Sequence, residues 1–364
     1  MTGRQSSLTT LTSLLQAYVD AGALAGATAL VAQGSQVEVA VVGARDVERA
    51  GPMGRDTIVR AASITKPVTA AAVLLLVQDG TLALDDPITT WTPELADVRV
   101  MRRPDGPVDD TAPAMRAITV RDVLTSRCGW GFPSEFSWPT VELLVEKVQP
   151  DGRDRDVLPS PDEWLRHLAE VPLLFQPGDG WLYNTSYDLL GVLVERASGR
   201  PFDDFLNERI FTPLGMVDTG FAVPAAQLHR LSGYYRPSDG GLELVEGPAD
   251  WTRPPAFASG AGGLVTTLDD WAAFGRMLLS GGRRLLSAES LALMMTDHLT
   301  PSQRRSGALF LEGQGWGFGG SVDVAPGEPW VVPGRYGWVG GTGTSAHVVP
   351  HTGSMAILLT QLEM

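Results

Sequence analysis

A stretch of chain that is apolar on every side can only be stable inside a protein, and this sequence has one: VTAAAVLLLVQ, residues 68–78. A helix with no polar face cannot lie on a surface, so this one must be wrapped by other elements. Pro67 is tolerated in a first turn and Gly80 is a natural stop, so the pattern predicts a helix from about Ile64 to Asp79. Its apolar run is too short to cross a bilayer, which needs about 20 apolar residues. A chain of 364 residues is long enough to build two lobes around such a core.

The wrapping elements can be read on both sides. GATALVAQ (26–33) and QVEVAVVG (36–43) are β runs joined by Gly34-Ser35, a hairpin signal. Near the other end, GRYGWVG (334–340), TSAHVVP (344–350) and SMAILLTQ (354–361) are again short β runs. The expected fold class is therefore α/β, with one antiparallel sheet built from both ends of the chain and flanked by helices. Between residues 84 and 250 the texture changes to Asp- and Pro-rich turns, several Trp and helical stretches. These include a helix over 187–198 closed by Gly199, one opening after Ser160-Pro161, and FDDFLNERIFTPLGM. Later, Thr267 and Asp270 read as a capping box, with Gly281-Gly282 ending that helix. The expected division is a discontinuous α/β lobe, 1–83 plus 251–364, with an inserted helical lobe, 84–250, and the active site between them.

Charge and cysteine narrow the function. A net charge of −14 disfavours phosphate backbones and anionic lipid, so neither nucleic acid nor membrane is an expected partner. The lone Cys128 allows no internal disulfide and reads as a small buried residue. The first twenty residues carry polar groups throughout, with no apolar run before a small-residue cleavage site, so the expected location is the cytoplasm. His167, His229, His298, His347 and His351 form no metal-spaced cluster, and no metal or cofactor is expected. No Gly-x-Ser-x-Gly elbow is present, which argues against an ordinary Ser-His-Asp hydrolase.

The basic residues are 26 Arg and only two Lys, Lys66 and Lys147. Lysine can release its proton inside a protein and arginine essentially cannot, so a lysine here asks what arginine could not do. Lys147 sits beside acids on a surface helix. Lys66 stands three residues after Ser63, where a β run meets the buried helix. Side chains three apart on a helix lie about 5–6 Å apart at Cβ, so the amine can reach the hydroxyl. The helix N-terminus favours negative charge on the serine oxygen, and burial disfavours the ammonium. Those are the conditions for an activated serine. A capping serine followed by a surface lysine would carry the same letters.

Two further motifs have matching alternatives. Tyr183-Asn184-Thr185 precedes a helix start, where Tyr183 could act as acid or base or could simply plug the space between lobes. Trp338-Val339-Gly340-Gly341-Thr342-Gly343 ends a β run in a glycine-rich turn. Its backbone N–H could pair with that of Ser63 as an oxyanion hole, or it could be only a hairpin turn.

Ser63-x-x-Lys66, Tyr183-Asn184-Thr185 and Trp338-Val339-Gly340 stand in the order and spacing of the class C β-lactamase and penicillin-binding-protein-like serine hydrolase family. LDDPITTWTPELAD, ITVRDVLTSRCGW, YDLLGVLVERASG, FTPLGMVDTGF and GAGGLVTTLDDWAAFGRML also resemble stretches of that family, which includes DD-peptidases and the family VIII carboxylesterases. The resemblance implies a β-lactamase-like fold with Ser63 as nucleophile. Lys66 and Tyr183 would share the proton work, and the N–H groups of Ser63 and Gly341 would hold the oxyanion. Thr185, Trp338, Val339, Gly340 and His347 are then the expected substrate-binding residues.

The chain departs from the family twice. The second motif is usually Tyr-x-Asn, but Thr185 holds the third place here. The third motif usually begins with a cation that binds a substrate carboxylate, but Trp338 stands there. Arg335, three residues back on a strand, is expected to point to the other face, and Arg127 is the candidate for a cation reaching in from the helical lobe. The expected activity is hydrolysis of neutral short-chain esters or small amides through an acyl-Ser63 intermediate. Transfer of the acyl group to an amine or alcohol is the alternative. A true β-lactamase or DD-peptidase, or a sensor that is acylated without turnover, ranks below both.

Overall fold

A computed structural model describes residues 4–48, 51–149, 155, 157–246, 251–282, 285–325, 327 and 329–364. The expected lobe boundary at residue 250 lies outside the described residues.

The main sheet has eight strands, all paired antiparallel, in the order Gly315–Trp316, Ser321–Val322, Tyr336–Gly340, Thr344–Val349, Ser354–Leu359, Gly26–Gln33, Gln36–Asp46 and Gly51–Pro52. Both ends of the chain meet in it, with Thr28 opposite Leu359 and Gln33 opposite Ser354. Gly34, at φ 59, makes the tight turn of the first hairpin. One face is covered by the helix Arg4–Asp20, whose Leu15 packs on Ala27, Ala29, Ala40 and Val42. The helix Leu268–Leu279 packs against the same sheet, with Gly275 close to Met355. Thr267 caps that helix by accepting from the Asp270 N–H. The Asp270 carboxylate turns away to the Asp218 N–H and the Thr219 hydroxyl.

The apolar helix is central, as its composition requires. It runs from Lys66 to Gln78, with every residue from Lys66 to Leu76 buried, and a short 3₁₀ turn, Ala62–Thr65, leads into it. Each leucine of Leu74-Leu75-Leu76 contributes roughly 1.5–3 kcal/mol by leaving water. The helix packs against Thr185–Ser198, which is buried from Thr185 to Val194 and ends at Gly199 in the left-handed region. The strand before Ser63, Val59–Arg60, pairs with Val265–Thr266 as a separate two-stranded sheet. Cys128 is fully buried with Sγ 3.2 Å from Ser186 Oγ, and burial pushes its thiol up to about 11. Among the described residues, no helix is long and apolar enough to cross a membrane.

Candidate active site

Ser63 sits in the 3₁₀ turn that opens the central helix, so its N–H belongs to a first turn with no intrahelical acceptor. The residue before it, Ala62, lies in the left-handed region at φ 46, a conformation that costs a non-glycine residue about 1–2 kcal/mol. Strain of this kind persists only where the surroundings impose it.

Lys66 is fully buried, and its Nζ donates to Ser63 Oγ (2.8 Å), Asn184 Oδ1 (2.9 Å) and the Ala261 carbonyl (2.7 Å). Three acceptors match the three donors of an ammonium. Burial pulls its pKa below the ordinary lysine range, while the neighbouring Tyr183 oxygen and the Asp188 carboxylate work against that shift. Tyr183 donates from Oη to Ser63 Oγ at 2.9 Å, so the lysine and the tyrosine both reach the serine oxygen. Its ring lies between Lys66 Nζ, 4.6 Å from the ring centre, and Phe310, stacked at 4.5 Å.

Trp338 donates its indole N–H to Tyr183 Oη at 2.8 Å and is only 4% exposed. Trp316 meets it edge-on at 4.8 Å, and Trp316 in turn donates to Tyr187 Oη. Trp338 thus lies against the tyrosine hydroxyl and, although expected to bind substrate, is not part of the cavity wall that Ser63 lines.

Ser63, Asn184, Asp188, Ala261, Gly262, Gly341 and Thr342 line a cavity of about 350 Å³. Leu158, Phe257, Pro255 and Trp251 give it an apolar wall. Arg60 and Arg155 also line it, each beside the Trp251 ring, at 5.3 and 4.2 Å. Arg60 donates to the Ser232 carbonyl and Arg155 to those of Phe221 and Arg253.

Several expected residues are placed differently. Thr185 is 1% exposed at the start of its helix and is not part of the cavity wall; Asn184 lines it instead. The cause is local: Asn184 takes φ 80, ψ −71, and the Thr185 N–H bonds the Tyr183 carbonyl two residues back, a γ-turn. This turn swings the amide at the second place of the motif onto Lys66. Val339 points away from Trp338 and is 40% exposed, outside the cavity wall. Gly340 packs against the backbone at Ser63 rather than facing the cavity. His347 is half-buried on the strand Thr344–Val349, also outside the cavity wall, with Nδ1 3.2 Å from Ser345 Oγ; burial pushes it down to about 4. Arg335 pairs with Asp323 at 2.9 Å, and Arg127 bonds Thr125 Oγ1 away from the cavity.

Asp188 was not singled out from the sequence. It is 3% exposed and accepts from Ser259 Oγ (2.6 Å) and the Ala261 N–H (3.1 Å). It thereby holds the segment whose Ala261 carbonyl receives Lys66. Burial raises its pKa, and the two hydrogen bonds and the Lys66 charge oppose that rise. An acid one turn into an otherwise apolar helix was the available signal. Among the described residues, no cluster of three or more His, Cys, Asp or Glu could hold a metal ion.

The arrangement suits acyl transfer: a serine oxygen bonded by a lysine amine and a tyrosine hydroxyl, at a cavity lined by Ser63 and Gly341. Comparison with known proteins agrees. The family model described as "Beta-lactamase" matches residues 11–363. Protein Rv1367c of Mycobacterium tuberculosis (strain H37Rv) is 42% identical over 357 residues, covering 94% of this chain and 87% of that protein. Esterase EstB of Burkholderia gladioli is 34% identical over 318 residues, covering 81% and 74%. The solved structure of EstCE1, titled a hydrolase with promiscuous acyltransferase activity, superposes with a TM-score of 0.83 at 24% identity, covering 99% of this chain and 94% of that one.

Proposed function

Because this chain belongs to the β-lactamase family of serine hydrolases, we propose that it cleaves neutral short-chain esters through an acyl-Ser63 intermediate, with Lys66 and Tyr183 moving the protons. The observation that carries this reading is the fully buried Lys66 amine, 2.8 Å from Ser63 Oγ. With the Lys66–Tyr183 pair one proton short of full protonation, which the buried amine favours, Ser63 Oγ attacks the ester carbonyl as its proton passes to the vacant position of that pair. The carbonyl electron pair moves onto oxygen, which the N–H groups of Ser63 and Gly341 receive. On collapse the carbon–oxygen bond to the alcohol breaks, and the alcohol takes the proton. Water then repeats the sequence on the acyl-serine.

In this reading the site draws on all three expected segments: Ser63 and Lys66 from 1–83, Tyr183 and Asn184 from 84–250, Gly341 from 251–364. Trp338 is the argument for a neutral acyl group. It stands where the family places a carboxylate-binding cation and brings no charge to that place, acting instead through its bond to Tyr183 from outside the cavity wall. The arginines of the cavity, Arg60 and Arg155, belong to the wall shared with Trp251. Transfer to an amine or alcohol instead of water is a second reading, favoured by the similarity to a solved hydrolase titled as having promiscuous acyltransferase activity.

The test is a panel of p-nitrophenyl esters, penicillin and a D-Ala-D-Ala peptide, with and without an added alcohol, alongside fluorophosphonate labelling. We expect ester turnover that far exceeds the other two, a label on Ser63, and loss of both in S63A. A label on another serine, or penicillin kcat/KM at or above about 10⁴ M⁻¹s⁻¹, overturns the reading.

A further inference from the structure

The two peptides that would form the oxyanion hole come from parts of the chain nearly 280 positions apart, yet they must hold one spacing to a fraction of an ångström. Two threonine hydroxyls bridge those parts. Thr342 Oγ1 donates to the Arg60 carbonyl at 2.7 Å, and Thr344 Oγ1 donates to the Ala61 carbonyl at 2.8 Å. Arg60 and Ala61 lead directly into Ala62 and Ser63, while Thr342 follows Gly341. Thr344 is 1% exposed, so its bond is shielded from water.

The packing at Gly340 shows how close this approach is. A Cβ there would fall 2.3 Å from Thr344 Oγ1, 2.6 Å from the Ala61 oxygen and 3.1 Å from Ser63 N. Only glycine lets the turn come this near. On the far side, the Ala61 N–H is held by the Leu264 carbonyl. The strand before Ser63 is thus gripped on both edges, and Ala62 absorbs the mismatch at φ 46.

We propose that Thr342 and Thr344 are positioning residues that set the spacing between the Ser63 and Gly341 N–H groups, and so the affinity of the site for the tetrahedral intermediate. This rests on the acyl-serine reading above. Neither hydroxyl needs to touch substrate; each acts through the backbone carbonyl it holds. Thr344 lies outside the cavity wall, so ground-state ester binding should be insensitive to it; Thr342 lines the cavity, and valine, of nearly the same shape, preserves that part of the wall.

The experiment compares T342V, T344V and the double variant with T342S and T344S, using p-nitrophenyl butyrate. Valine keeps the shape and loses the hydroxyl; serine keeps the hydroxyl. We expect kcat to fall about 10–100-fold in each valine variant, less than the 10²–10³ that follows outright loss of an oxyanion donor. KM should stay within about threefold, and serine should restore kcat to within about threefold. The double variant should lose less than the product of the single losses, because both bonds define one spacing. The proposal is overturned if valine leaves kcat within twofold of wild type, if KM rises while kcat holds, or if serine is as impaired as valine. Should T344V fail to fold, T342V in the half-buried turn decides alone. Fluorophosphonate labelling of the wild type separates the two failures. An unlabelled Ser63 removes the acyl-serine reading; a labelled Ser63 with unaffected valine variants removes only this inference.

Discussion

Tyr183→Phe isolates one oxygen atom in the site. The ring would keep its stack on Phe310 at 4.5 Å and its contact with Trp181 at 6.0 Å, so packing should change little. Two hydrogen bonds would vanish, the one to Ser63 Oγ at 2.9 Å and the one from Trp338 Nε1 at 2.8 Å. The first loss falls on catalysis: a positioned acid or base contributes about 10²–10⁴ in rate, or about 2.7–5.4 kcal/mol of activation free energy. The second falls on stability, because Trp338 is 4% exposed and its indole N–H would be left without an acceptor. An orphaned buried donor costs about 1–3 kcal/mol. The assay is kcat/KM for a p-nitrophenyl ester together with denaturant unfolding, on Y183F, W338F and the double variant. Y183F should lose rate and stability, and the double should be about 1 kcal/mol less destabilised than the sum of the singles. A rate loss below tenfold, or strictly additive stabilities, would refute the reasoning and make Tyr183 a packing residue.

Lys66→Arg keeps the charge but cannot release its proton near neutral pH, so its loss of kcat should approach that of Lys66→Ala; a near wild-type rate would make Lys66 a fixed charge only. Asp188→Asn leaves a carbonyl oxygen able to accept from Ser259 and Ala261 but removes a charge that raises the Lys66 pKa. The Lys66 pKa should fall further. If the neutral amine is the active form, the acid limb of the kcat/KM profile should move to lower pH, and an unmoved limb would separate Asp188 from the proton chemistry.

Much of this could be read from the chain because the strongest signals were local and physical. An all-apolar helix must be central, and β runs at both ends of the chain can share one sheet. Ser63 and Lys66 were legible for the same reason, since their three-residue spacing at the entry to a buried helix leaves the amine few other places to go. The orientation of Asn184 was not legible. Its left-handed γ-turn depends on how the chain enters the helix Thr185–Ser198, and the motif spacing pointed to Thr185 instead. Trp338 was legible as a missing cation but not as a donor to Tyr183, because that bond joins residues 155 positions apart. The arginines of the cavity wall depended likewise on contacts with Trp251 that no local pattern announces.

The two strained residues at the site, Ala62 and Asn184, have a common logic. Each stands at the entrance of a helix whose body is buried, Lys66–Leu76 in one case and Thr185–Val194 in the other, and those helices pack on each other. A surface helix could relieve such strain by fraying or shifting a fraction of a turn. These cannot, because any shift would expose apolar side chains on every face of the central helix. Burial thus fixes the helix starts, and the helix starts fix the strained residues. Lys66 obeys the same constraint from the other direction. Its charge is costly in the core, but its backbone cannot move outward without the helix, so the amine must be satisfied where it stands. Ser63, Asn184 and Ala261 are what satisfies it. The geometry around Ser63 therefore depends on helix packing well beyond the residues that line the cavity. Core substitutions such as Leu74→Ala, remote from the cavity, should loosen the Lys66–Ser63 contact before they unfold the chain.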